Sequence, residues 1–125
     1  MPSSLLKKDF EMMEGTNLTI KMTATDKETE LPIDITGWSI YFSVFRSKAS
    51  SNAYISKIST SGTQISKTEP MIGKFEVYIE KDDFGVSPEV DVSYYWECIG
   101  VTPGGQEFEI DSGNVKFRQR KTIII

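Results

Sequence analysis

An all-β, two-layer sandwich is the fold class this sequence predicts, and three observations carry it. Apolar and polar residues alternate over several short runs, as in Leu18, Ile20, Met22, Ala24 and again in Phe75, Val77, Ile79. That period of two marks a strand with one buried face. Glycine, proline and small polar residues punctuate the runs at short intervals, as the turns of a sandwich or barrel do. No amphipathic stretch of ordinary helical length occurs. At 125 residues the chain is read as one domain, 1–125, large enough to bury a core without metal or disulfide staples.

Taken in order, residues 1–7 read as an arm. A first short strand falls within Lys8–Glu14, with Phe10 and Met12 on one face, and Gly15 breaks it. Asn17–Thr25 alternates cleanly. The wholly polar run Asp26–Glu30 is a turn, and Pro32, lacking an amide hydrogen, belongs in a loop or at a sheet edge. Asp34-Ile35-Thr36-Gly37 then feeds the strongest strand, Trp38–Arg46, with Trp38, Ile40, Phe42 and Val44 on one face and Tyr41 and Phe45 on the other. A serine-rich loop, Ser47–Asn52, separates it from a weaker strand, Ala53–Ser59, where Ala53, Ile55 and Lys57 oppose Tyr54, Ser56 and Ile58.

Gln64–Ser66 is a short strand, and Gly73–Glu80 alternates again. Lys81–Phe84 makes one short helical turn near residues 81–84, with Phe84 plugging one end. Asp91–Val101 is a long aromatic strand, and Thr102-Pro103-Gly104-Gly105 is a hairpin turn. Gln106–Asp111 is its partner, with Phe108 and Ile110 on one face. Ser112-Gly113-Asn114 reads as a further turn before a closing strand, Val115–Gln119. Residues 119–125 form a second candidate arm. Its Ile123-Ile124-Ile125 is either a last edge strand or a sticky end that a neighbour covers.

Net charge is −4, which disfavours direct nucleic acid contact, since that needs clustered Lys and Arg. The charge is segregated. Residues 36–68 hold Arg46, Lys48, Lys57 and Lys67 and no acid. Residues 69–111 hold eleven acids against Lys74 and Lys81, and residues 113–125 add Lys116, Arg118, Arg120 and Lys121. Solvated faces explain this; electrostatic pairing between copies is the sharper alternative. No secretory leader is expected, because no apolar run follows Lys7 and Lys8. No run approaches the roughly 18 apolar residues of a membrane-spanning helix.

Catalytic chemistry finds little to work with. The chain has no histidine and one cysteine, Cys98. Histidine-based acid–base chemistry and zinc ligation are thereby excluded, and Cys98 reads as a buried filler. Glu80, Asp82 and Asp83 cluster at a strand end, where they read as solvated turn acids or, less economically, as a weak cation site. Glu107, Glu109 and Asp111 alternate and are expected to share a solvent face. Neither a cofactor nor a metal is called for, and the chain is read as not an enzyme. Trp38, Phe42, Phe75, Tyr94, Trp96, Phe108 and Phe117 are expected in the core. Tyr41, Phe45, Tyr78 and Tyr95 are candidates for an interface, where aromatic rings contribute large contact area. Arg118, Arg120, Ile123, Ile124 and Ile125 complete that set as a basic, then apolar, tail.

The order of phrases resembles a family of small phage structural domains, akin to the N-terminal module of baseplate upper proteins and related tail and head–tail proteins. Glu14-Gly15-Thr16-Asn17-Leu18-Thr19-Ile20 matches its opening turn and strand. Pro32-Ile33-Asp34-Ile35-Thr36-Gly37 with Trp38–Arg46 matches its Pro-x-Asp-Leu-Thr-Gly phrase. Gly73-Lys74-Phe75-Glu76-Val77, Lys81-Asp82-Asp83-Phe84, Val92–Glu97, Gly104-Gly105 and Ser112–Phe117 follow in the same order, over about residues 8–118.

The resemblance implies an immunoglobulin-like antiparallel β-sandwich of about seven to nine strands. It also implies a virion structural role, made in the host cytoplasm and exerted by contact with other virion proteins and with copies of itself. A carbohydrate- or host-surface-binding module using exposed tyrosines is the alternative. In the assembly reading the arms reach neighbours, strand addition to a sheet edge being one way to do so. Deletion of Thr122–Ile125 is then expected to lower the mass measured by light scattering while the monomer still folds.

Overall fold

The computed structural model describes residues 9–13, 16–47, 49–84, 88 and 92–118. Both expected arms, 1–7 and 119–125, lie outside the described residues. Eight strands form in chain order: β1 Asp9–Met13, β2 Leu18–Thr23, β3 Ser39–Phe45, β4 Ala53–Ile58, β5 Ile65–Glu69, β6 Lys74–Ile79, β7 Ser93–Val101 and β8 Glu107–Arg118. Among the described residues the only helical pieces are single 3₁₀ turns at Pro70–Ile72 and Lys81–Asp83, the second where the sequence predicted one.

The strands build two sheets, ordered β1-β8-β7-β3-β4 and β2-β6-β5. The chain crosses between layers after β1, β2, β4 and β6. With the strands lettered along the chain, this is the B-E-D layer facing the G-F-C layer of the immunoglobulin sandwich, with a C′-type strand added beside C. The expected sandwich is thus present, with one correction to its wholly antiparallel character. β1 pairs with β8 in parallel, Phe10 opposite Val115 and Met12 opposite Phe117. Burial rewards that placement: Met12 is buried, and Phe10 sets its ring edge-on to Trp96 at 5.8 Å.

Alternation does the folding work. Ile20 and Met22 on β2, and Phe75, Val77 and Ile79 on β6, point inward. They meet Ile40, Phe42 and Val44 from β3, Tyr94, Trp96 and Cys98 from β7, and Val115 and Phe117 from β8. Trp96 is fully buried and stacks on Phe42 at 5.7 Å. Truncating a buried ring of this size costs about 3–5 kcal/mol.

The β2–β3 connection is bolted down by its own polar atoms. Asp26 Oδ1 accepts the amides of Glu28 and Thr29 at 2.8 and 3.0 Å, and Asp34 Oδ1 accepts that of Thr36 at 2.9 Å. Inside the second of these turns Ile35 is fully buried, and its amide donates to Pro70 O at 2.9 Å.

Two further expectations are corrected by irregular ladders. Ser112-Gly113-Asn114 makes no turn. It pairs straight through with Glu97, Trp96 and Tyr95 of β7, so the two expected strands merge into one twelve-residue strand, Glu107–Arg118. Gly113 lies opposite the bulky Trp96, and the ladder satisfies backbone groups that a turn would have left to water. The register shifts instead at Cys98/Ile99, which pair with Asp111 and Glu109 and leave Ile110 unmatched. A second shift at Val44/Phe45, paired with Ile55 and Ala53, leaves Tyr54 unmatched. Bulged residues are re-aimed. Tyr54, expected on the face opposite Ile55, packs on the same core against Tyr94, Phe117 and Phe84, with ring centroids 5.5, 5.7 and 6.4 Å away. Phe84 does plug that end, edge-on to Phe117 at 5.7 Å.

Gly73 is the backbone position with least latitude. Its φ is +74°, and an added Cβ would stand 2.5 Å from Ala24 O and 2.8 Å from Ile33 O. Strain and overlap add there, so Gly73→Ala is expected to lower unfolding free energy by about 2–4 kcal/mol in urea titration. A change below about 0.5 kcal/mol would contradict this packing.

Candidate docking surfaces

The acids that offered the nearest approach to a chemical site are engaged in structure. Asp83 Oδ2 accepts the Glu80 amide at 2.7 Å, and Glu80 caps the same 3₁₀ turn from its other side. Asn17 Oδ1 accepts the Lys81 amide at 3.0 Å, tying this turn to the start of β2. Asp83 also holds Lys57 at 2.7 Å, and Lys57 is a buried charge on the inner face of β4. The pair therefore links the edge of the large sheet to the loop after β6. Among the described residues no group of three or more acids, cysteines or histidines is placed to hold a metal ion.

The expected shared face of Glu107, Glu109 and Asp111 is also corrected. Glu107 and Glu109 lie opposite Val101 and Ile99, whereas the bulge sets Asp111 opposite the buried Cys98. Cys98 is wholly buried, and its thiol titrates far above the usual range because burial disfavours the thiolate, with Asp111 and Glu97 adding repulsion. Such a thiol is inert as a nucleophile.

The four interface aromatics divide between opposite faces. Tyr41, Phe45 and Tyr95 stand on the outer face of the large sheet. Tyr41 is flanked across the ladders by Ile58 and Ile99, and Phe45 by Ala53 and Tyr95. Tyr41 is 39% exposed, and its neighbours Phe45, Tyr95, Ile58 and Ile99 are half-buried. These are two apolar rows that the core does not use, separated by a polar row in which Ser43 is flanked by Ser56 and Glu97. Tyr78 stands on the far side of the molecule, opposite Thr19 on the small sheet. Its hydroxyl donates to Glu76 at 2.9 Å, a bond that raises its pKa. Arg118, at the end of β8, pairs loosely with Glu11 at 3.8 Å, both side chains being more than half exposed. Arg120, Ile123, Ile124 and Ile125 lie outside the described residues.

Sequence reasoning missed a second surface. Trp38 and Phe108, both expected in the core, stack at 5.7 Å and 19° at the end of the sandwich where the β2–β3 and β7–β8 loops meet. Phe108 is 44% exposed and Trp38 half-buried. With Ala24, Ile33 and Ile110 they line an open cleft of about 520 Å³, rimmed by Thr25, Asp26, Lys27 and Glu109. Gly100 makes room for it: a Cβ there would lie 2.7 Å from the Trp38 ring and 3.2 Å from Ile110. A glycine inside a strand marks such close approaches, and Gly100 was the available signal. Bonds from the Thr29 and Glu28 amides hold the Asp26 carboxyl below the usual carboxylate range, and bonds from Thr36 do the same for Asp34.

Comparison with known proteins adds little to this geometry. No protein-family model matches the chain, and no curated protein does. Among solved structures, the extracellular domain of mouse leukocyte-associated immunoglobulin-like receptor 1, crystallised as a strand-swapped dimer, is similar over 97% of this chain and 90% of that one. The TM-score is 0.44 and the identity 12%. The class, an all-β sandwich of immunoglobulin type, is given by the strand order above.

The Lys57–Asp83 pair yields a test of its own. Removing one partner of a buried pair strands a charge at about 3–5 kcal/mol, reduced here because Asp83 is partly in water. Asp83→Ala is expected to cost about 2–3 kcal/mol by urea unfolding and Lys57→Met less than half of that. The reverse order would show that the capping role of Asp83 is immaterial.

Proposed function

We propose that this chain is a phage virion structural component, of the tail, baseplate or head–tail region, that acts through protein–protein contacts with other virion proteins and with its own copies. The observation that supports it best is the outer face of the large sheet, where the rows Ile58–Tyr41–Ile99 and Ala53–Phe45–Tyr95 each form an apolar strip across three strands. Exposed contiguous apolar surface beyond the needs of the core marks an interaction site. Aromatic rings there supply contact area at low entropic cost. The order of sequence phrases from Gly15 to Phe117 supplies the virion context. A carbohydrate-binding module is the second reading, favoured by the partly exposed ring of Tyr41 on that same face.

Two measurements separate the readings. In the assembly reading the purified chain gains mass with concentration in light scattering and binds nothing on a glycan array, with or without chelator. Tyr41→Asp, at the most exposed ring of the two strips, is expected to weaken association more than tenfold while moving the urea midpoint little. A monomeric chain that binds glycans through Tyr41 would replace the first reading with the second.

A further inference from the structure

The Trp38–Phe108 cleft has features that name an occupant. Its floor is apolar: Ile33, Trp38, Phe108 and Ile110. Its surroundings are mainly acidic. Asp26, Glu28 and Glu30 stand on the exposed turn beside it, and Glu107 and Glu109 on the opposing strand, against Lys27 and against Lys67, whose Nζ donates to Trp38 O at 2.7 Å. One segment of this chain has the complementary pattern. Arg120-Lys121 precedes Ile123-Ile124-Ile125, basic residues to meet the rim and three β-branched residues to fill the floor.

That segment cannot reach the cleft of its own chain. Phe108 and Arg118 stand near opposite ends of the single strand β8, so ten residues at about 3.3 Å each set them ~33 Å apart. Residues 119–125 span at most ~24 Å even fully extended, and they would also have to double back. A second copy has no such restriction.

We propose that residues 120–125 of one copy dock into the Trp38–Phe108 cleft of the next. The isoleucines cover the stacked rings, and Arg120 and Lys121 pair with the acidic rim at Glu109 and Asp26. The inference rests on the self-assembly reading above and adds its receptor. It also gives the contact a direction, since the acceptor lies at the Phe108 end of β8 and the donor follows Arg118, at its other end.

Complementation between two defective chains tests it. Phe108→Ser opens the cleft floor, and deletion of Thr122–Ile125 removes the plug. Each variant alone is expected to remain monomeric in light scattering at concentrations where the parent associates. Mixed, they form a one-to-one complex and nothing larger, because one supplies the tail and the other the cleft. Trp38 emission shifts to the blue on mixing, while the fully buried Trp96 gives no change. Urea midpoints close to the parent's establish that both variants fold. Should Phe108→Ser fail to fold, Glu109→Lys takes its place: it weakens association at least fivefold, and Lys121→Glu in the partner restores it.

A Phe108→Ser chain, or in its place a Glu109→Lys chain, that associates like the parent overturns the proposal. If Tyr41→Asp then abolishes association, the assembly reading stands without it. A mixture that stays monomeric overturns it as well, and so does a parent monomeric at every concentration. Glycan binding that depends on Phe108 overturns the docking and the assembly reading together.

Discussion

Everything in this fold depends on Trp96 being buried between its neighbours. It sits fully enclosed on β7, the central strand of the five-stranded sheet, stacked on Phe42 and touched edge-on by Phe10. Antibody domains pin their two layers with a disulfide packed against a tryptophan. Here the one cysteine, Cys98, has no partner to bond, so no covalent link joins the layers. Apolar burial across the interlayer space is the main substitute. The Lys57–Asp83 pair and the Ile35–Pro70 backbone bond add polar ties at the periphery.

Two register shifts turn this regular frame into a molecule with distinct ends. At Val44/Phe45 the unmatched Tyr54 joins Tyr94, Phe84 and Phe117 and closes one end with rings. At Cys98/Ile99 the unmatched Ile110 sits beside Gly100 and Trp38, and that end stays open. The same device, one extra residue in a strand, seals one end and leaves a cleft at the other. What differs is the neighbour. Bulky rings fill the space around Tyr54, whereas Gly100 leaves space that only the Trp38–Phe108 stack partly occupies.

The strands were legible because each is amphipathic with period two, and the inward sets Ile20–Met22, Ile40–Val44 and Phe75–Ile79 could be read directly. The short helical turn at 81–83 was legible from Lys81-Asp82-Asp83-Phe84. What escaped were the features that alternation cannot encode. A bulge leaves no mark on the apolar pattern, so Tyr54 was placed opposite Ile55, and the small polar composition of Ser112-Gly113-Asn114 reads as a turn where the ladder runs on. The parallel pairing of β1 with β8 joins residues a hundred positions apart, and nothing local announces it. Of the interface set, Tyr41, Phe45 and Tyr95 do share a face, while Tyr78 lies on the other sheet. Periodicity tells which residues of a strand share a side, but not to which of two layers the strand belongs. The cleft was missed for a related reason: Trp38 and Phe108 have the composition of core residues, and only their position beyond the last layer of packing exposes them.

The arrangement also constrains what kind of assembly this surface permits. A strip on the outer face of a sheet can meet the same strip on a second copy, giving a closed two-fold dimer in which both partners contribute alike. The proposed contact, between the cleft at the Phe108 end of β8 and the segment that follows Arg118 in sequence, cannot be of that kind. Their contact is heterologous: each copy used as an acceptor still carries a free donor, so growth continues until a ring closes or a partner caps it. In the proposed series the apolar rows of the large sheet would add a second contact, between copies or with another virion protein, and that contact is the one Tyr41→Asp removes.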